Sequence, residues 1–229
     1  MTISNPFARR PRATDLRDTA QYRLLYELDM RNPMDFFRRY LFNINLGSLA
    51  FFIFALVTIA MFATELASSG YVEDSKAVQV LLALIGSLLL IPVHEGIHAI
   101  TYKAIGAPVV KFVAEWSKGL IYTVADRFVI DQREYVLLAF TPLFTISLFL
   151  GSAYFLAPEY DVLIAALLCF HTLSCIGDIA IINFLSAHRD EAVFSYDDLK
   201  VHKSYFYARL EGPPTGAAAG APDQPANQR

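Results

Sequence analysis

His94-Glu95-Gly96-Ile97-His98 is the segment of this chain best suited to chemistry. On a helix the two histidines stand four residues apart on one face, so both imidazoles reach a single metal ion, and Glu95 flanks them where a water activated by that ion would lie. The motif lies in a long apolar stretch, where a carboxylate and two imidazoles are costly to bury unless they pair or bind metal. Two imidazoles leave a catalytic zinc one protein ligand short, because such sites use three ligands plus water. The candidate is Asp178, the only carboxylate of the last apolar stretch. His94 is 17 residues past Ala77 and Asp178 is 16 past Val162. At about 1.5 Å per residue this sets both roughly 25 Å from one boundary and near the other, so they can meet laterally.

Other polar groups share these stretches. His171 lies seven residues before Asp178, on the same helix face but about 10 Å away along the axis, too far to join the same ion unless the helix breaks. It is expected either as a neighbour that orients a ligand or polarises substrate, or as a structural hydrogen bond to another helix. Tyr102 extends the His94 and His98 face by one turn, as an oxyanion donor or an interfacial anchor. Cys169 and Cys175 fall in one helix and are not expected to form a disulfide; Cys175 is either an alternative ligand or a small apolar packing residue. Gly177 is expected to allow close helix approach. Pro92 and Pro142 each remove a helix hydrogen bond and can bend their helices beside a hydrated cavity.

The elements that must position these groups follow from composition. The 229 residues are 55% apolar and 18% charged, against about half and a quarter in soluble domains. The imbalance is local, since residues 41–187 hold 17 of the 41 Asp, Glu, Lys and Arg. A single soluble core, a nucleic-acid binder and a disulfide-stapled secreted domain all fit these numbers poorly. Windows 41–64, 77–100, 135–158 and 162–187 each have the roughly 20 apolar residues that cross a bilayer. Lys and Arg number 8, 1, 5, 0 and 5 in the successive segments outside them. Positive charge is retained in the cytoplasm, so both termini and the central loop are expected there, with the metal motif near the cytoplasmic face. No signal peptide is expected, because the first forty residues carry eight arginines and no apolar stretch of signal length.

The expected fold class is therefore an α-helical integral membrane protein with four transmembrane helices. Residues 109–116 and 120–124 are β-branched and aromatic around Ser117-Lys118-Gly119, which predicts a short cytoplasmic β-hairpin between helices two and three. The hairpin is a connector, or its uncovered edge holds an extended peptide. Residues 1–40 are expected as a cytoplasmic N-terminal segment with an amphipathic helix over 15–30 and a further helical stretch over 34–40. Residues 41–187 form the membrane domain, 188–211 a cytoplasmic extension, and 212–229, rich in Pro, Gly and Ala, a disordered tail.

The motif, the following Lys103-Ala104-Ile105-Gly106, the hairpin and Gly177-Asp178 resemble the site-2 protease class of intramembrane zinc metalloproteases. More closely, this short four-span pattern over 41–187 resembles the bacterial zincin peptidases long classed as a domain of unknown function. The resemblance implies His94 and His98 as zinc ligands, Glu95 as catalytic base, Asp178 as the ligand matching the aspartate of the site-2 Leu-Asp-Gly motif, and a bacterial inner membrane as location. Here the segment reads Ile176-Gly177-Asp178-Ile179, without the glycine after the aspartate. The reaction expected from the residues is zinc-assisted hydrolysis, with a peptide bond of a membrane protein or peptide as target and the lipid bilayer as surroundings. Hydrolysis of a lipid or another amide, and a non-catalytic zinc-binding interaction protein, are the alternatives. A transporter fits less well, because its path would carry polar groups through the whole depth.

Overall fold

The computed structural model describes residues 10–43, 45–68, 73–116 and 119–210. The first three apolar windows fold as helices α2 (Leu46–Ala67), α3 (Glu73–Ala104) and α4 (Gln132–Leu156). Each is long and apolar enough to cross a membrane. Sharp caps start two of them. The Asn45 side chain accepts the Gly47 and Ser48 amides while Ser48 Oγ accepts the Asn45 amide, and Asp131 and Glu134 make the same reciprocal box at α4. Leu88, Phe149 and Phe155, exposed at 67, 72 and 82%, point apolar surface outward from the bundle, the pattern of helices solvated by lipid instead of water.

The fourth window is not one helix. It forms α5 (Asp161–Ser174) and α6 (Ile176–Ala187), bent by 43° at Cys175, and counts as a fourth span only if the bent pair is taken together. Donors crowd the break. Ser174 Oγ and Cys175 Sγ both reach the His171 carbonyl, at 2.7 and 3.3 Å, and the Cys175 amide is shared between the carbonyls of His171 and Thr172. Side-chain donors competing for a backbone carbonyl bend helices in this way. Cys169 and Cys175 are both free and buried.

Residues 15–30 are not a helix, contrary to expectation. A single 3-10 turn at Asp15–Arg17 leads into strand β1 (Tyr22–Asp29). The Leu and Tyr spacing there fits either period, and long-range pairing decides between them. β1 joins a four-stranded antiparallel sheet in the order β1, β6, β5, β4, with β4 at Ile130–Asp131, β5 at Val193–Asp198 and β6 at Lys203–Arg209. Tyr22 faces Arg209 and Asp29 faces Lys203, with an irregularity between Leu24 and Tyr26. The extension over 188–211 is thus the central hairpin of this sheet. Helix α1 (Met34–Tyr40) forms as expected. The predicted hairpin is β2 (Lys111–Glu115) against β3 (Leu120–Val124), with Lys111 opposite Val124. The tail 212–229 and residues Ser117 and Lys118 of the turn lie outside the described residues.

Aromatic packing fixes the sheet to the bundle. Phe36 of α1, Phe184 of α6 and Phe206 of β6 are fully buried together, with ring centroids 5.7 Å apart for Phe36 and Phe184 and 4.8 Å for Phe184 and Phe206. Asn183 donates to the carbonyls of Tyr40 and Leu41 and accepts from the Asn45 side chain, so α6 is tied to the α1–α2 junction. Arg10 clamps Glu134 and the carbonyls of Val129 and Ile105. The N-terminal arm is held against the start of α4.

Candidate metal centre

His94 and His98 stand one turn apart on α3, and α6 brings Asp178 to them. The two Nε2 atoms are 3.1 Å apart, Asp178 Oδ2 is 3.3 Å from His94 Nε2, and Asp178 Oδ1 is 3.4 Å from His98 Nε2. The three side chains are only 11 to 15% exposed.

Hydrogen bonding explains why these nitrogens converge. His98 Nδ1 lies 3.0 Å from the Leu138 carbonyl, which can only accept, so Nδ1 carries a proton and, in the neutral ring, Nε2 carries a lone pair. His94 Nδ1 lies 3.3 Å from His171 Nε2. With the proton on His94 Nδ1, a second lone pair points at the first, and a carboxylate faces both. With both rings neutral, these three acceptors repel one another unless a proton or a metal cation sits among them. A tetrahedral zinc with ligand bonds of about 2.0–2.2 Å has ligand separations of roughly 3.3–3.6 Å, close to the 3.1 Å between the two Nε2 atoms and the 3.3 and 3.4 Å from them to the two Asp178 oxygens. The donor set fits zinc.

Glu95 is buried beside this triangle, and its Oε2 has no hydrogen-bond partner among the described residues. A ligand atom each from His94, Glu95 and His98 falls within 4.8 Å of the others. Thr123 Oγ1 of β3 donates to the Glu95 carbonyl at 3.0 Å, which docks the hairpin onto the motif.

His171 is closer than a continuous helix would permit. The break at Cys175 sets α5 and α6 at different angles, so His171 meets the far nitrogen of His94 while Asp178 meets the near ones. His94, His171 and Cys175 also offer ligand atoms within 4.8 Å of one another. The Cys175 thiol already donates to the His171 carbonyl. Gly177 does permit a close helix approach: a Cβ there would meet the Phe37 ring of α1 at 3.2 Å.

Tyr102 is not an exposed interfacial anchor. It is 4% exposed, and its hydroxyl lies 3.4 Å from Asp197 Oδ2 on β5. Both line a cavity of about 330 Å³ that also contains His94, Glu95, His98 and Asp178. Its other walls come from β3, α4 and the Leu28 to Phe37 region, and β5 and β6 contribute Asp197 and Ser204. Ser204 Oγ donates to Asp197 Oδ1 at 2.6 Å. Burial pushes the Asp197 carboxyl up to about 6; the Ser204 and Tyr102 hydroxyls oppose the rise, and nearby Asp126 adds to it. Sequence reasoning missed Asp197. The available signal was a double aspartate ending the apolar and aromatic run Val193-Phe194-Ser195-Tyr196.

Residues 87–193 match a family described as "putative zincin peptidase". The matched region, a little under half of the chain, holds the motif, the hairpin and Asp178, and stops four residues short of Asp197. The match supports a metallopeptidase that uses zinc. No curated protein and no solved structure matches the chain.

Proposed function

We propose that this protein is a zinc-dependent membrane peptidase that cuts a peptide bond near the cytoplasmic face, with His94, His98 and Asp178 holding the metal and Glu95 as catalytic base. The observation that carries this reading is the convergence of His94 Nε2 and His98 Nε2, 3.1 Å apart, on the Asp178 carboxylate, whose Oδ2 lies 3.3 Å from the first and Oδ1 3.4 Å from the second. When bound, zinc supplies a Lewis acid that polarises the scissile carbonyl and acidifies the attacking water. Glu95, with one carboxylate oxygen free, takes a proton from that water as it attacks the carbonyl carbon. The carbon–nitrogen bond then breaks, and Glu95 returns the proton to the leaving amine. Leu138 and His171 hold the ligand imidazoles in the tautomer that presents Nε2 to the ion.

Three long apolar helices and the bent pair support an integral membrane protein. The Lys and Arg alternation supports cytoplasmic termini and a cytoplasmic sheet. On this reading the cavity receives a substrate span where it leaves the membrane and can unwind.

The test is purification of wild-type protein and Glu95→Gln in detergent, with zinc measured by mass spectrometry and cleavage of apolar peptides followed by chromatography. Wild type should carry about one zinc and cut. Glu95→Gln should keep the zinc and lose at least about 10² to 10⁴ in rate, the usual worth of a general base. Unchanged cleavage in Glu95→Gln would make the metal architectural. Zinc-dependent release of fatty acid from lipid without any peptide cleavage would move the substrate class instead.

A further inference from the structure

Three carboxylates line the cavity: Glu95, Asp178 and Asp197. Two of them have tasks, since Asp178 completes the histidine triangle and Glu95 stands beside it. Asp197 has none in hydrolysis. It accepts from the hydroxyl of Tyr102, which stands one helical turn, about 6 Å, past His98 along α3.

Among the described residues no ion pair to the Asp197 side chain is formed. Its side chain accepts from the hydroxyls of Ser204 and Tyr102 only, and no Lys or Arg lines the cavity among the described residues. The nearby arginines are engaged elsewhere, Arg127 and Arg17 both with Asp198. Asp197 is nevertheless 8% exposed. A carboxylate in so dry a place is destabilising unless something pairs with it. Tyr102, Tyr122 and Tyr135 line the same cavity, and the Tyr135 ring is held by stacking on Phe206 at 5.6 Å. A carboxylate among tyrosines suits an ammonium or guanidinium, through charge and through cation–π attraction.

A substrate of the proposed enzyme supplies such a group. Membrane spans carry Lys and Arg on their cytoplasmic flank. In the proposed orientation, the sheet end of the cavity receives that flank while the metal end receives the last turns of the span.

We propose that Asp197 is a specificity-determining residue of this site, selecting peptides with a Lys or Arg close to the bond that is cut. The inference rests on the peptidase reading above. With an extended substrate advancing about 3.3 Å per residue, the basic residue belongs roughly two to four positions from the cut.

Two measurements test it. In the first, wild-type protein is given peptides of about 20 apolar residues, one span's length, each with a single Lys, Arg, norleucine or Glu scanned along the chain, and the cuts are mapped by mass spectrometry. Cuts should cluster at a fixed distance from Lys or Arg, with kcat/KM at least about tenfold above the norleucine peptide, and the ratio should approach one in Asp197→Asn and persist in Asp197→Glu. In the second, binding of fluorescent Lys and norleucine peptides is measured by anisotropy on Glu95→Gln protein, which needs no turnover. The Lys peptide should bind about tenfold tighter, and adding Asp197→Asn should erase the difference. Cleavage with no basic preference, equal binding of the two peptides, or a preference that survives Asp197→Asn would each overturn the assignment of Asp197 while leaving the peptidase reading in place. Absence of any cleavage by zinc-loaded wild type, with no Lys preference in binding, would overturn both.

Discussion

In the helical bundle the converging groups are His94 and His98 on α3 and Asp178 on α6, three acceptors within 3.4 Å of one another across pairs of atoms. In the sheet, Asp197 of β5 is instead held by neutral hydroxyls from β6 and α3. Both arrangements place negative charge where water is scarce, and each is incomplete in its own way: the first asks for a divalent ion, the second for a monovalent cationic group. On the readings proposed above, bundle and sheet divide the work of one cavity, the bundle carrying reactivity and the sheet carrying choice.

If that division holds, the junction between the two should be where the whole cavity is most vulnerable. Phe184 is fully buried between Phe36 and Phe206, and Phe184→Ala should cost about 3–5 kcal/mol. Thermal unfolding in detergent should show a lower midpoint and the loss of zinc retention together; a sheet that melts while the bundle keeps its zinc would show that the two halves are energetically separate.

A sharper contrast comes from pH. The folded Asp197 carboxyl titrates near 6 instead of 3.8, so between those values the native state holds a proton that the unfolded chain has released. Stability from this group is therefore greatest at low pH and falls as pH rises through about 4 to 6. Asp197→Asn does not titrate, and its stability relative to wild type should rise between pH 4 and pH 7 by up to about 3 kcal/mol, the equivalent of that difference at 1.36 kcal/mol per pH unit. A mutant-minus-wild-type difference that is flat with pH would mean that Asp197 is already paired in the free protein.

The smallest effect is expected in the bundle. His171 touches the far nitrogen of His94, and His171→Ala should weaken zinc binding by about 10- to 100-fold, the usual effect of removing a partner of a metal-bound imidazole. Competition with a chromogenic chelator measures this. A complete loss of zinc equal to that of His98→Ala would make His171 a ligand in its own right.

These halves also differ in how far they can be read from residues alone. The motif at residues 94–98 declares itself because the two histidines share one helical face within a single element, and the windows that became α2, α3 and α4 because apolar runs of span length have few other uses. The hairpin was legible from two β-rich runs around a turn. The break at Cys175 was not, since no proline marks it and its cause is a cluster of hydroxyl and thiol donors that pack equally well on unbroken helices. Its neglect is what misplaced His171. Strand β1 was misread because Tyr22, Leu25 and Leu28 can be threaded onto a helical face, and the strand with which it pairs, β6, lies about 180 residues away. Asp197 escaped for the same reason: nothing local says that β5 turns toward α3.

The sheet takes its strands from both ends of the described chain, and this sets a schedule during synthesis. His94 and His98 leave the ribosome about 110 residues before Arg209, the last residue of β6. At roughly 5–20 residues per second, that interval is about 6–20 s. Throughout it, the histidines can enter the membrane while the end of the cavity bearing Asp197 and Ser204 is still missing. If the proposed roles hold, the nascent chain reaches its selective form only after its reactive residues are in place, and a stop codon anywhere before β6 leaves the motif without Ser204 in the cavity wall.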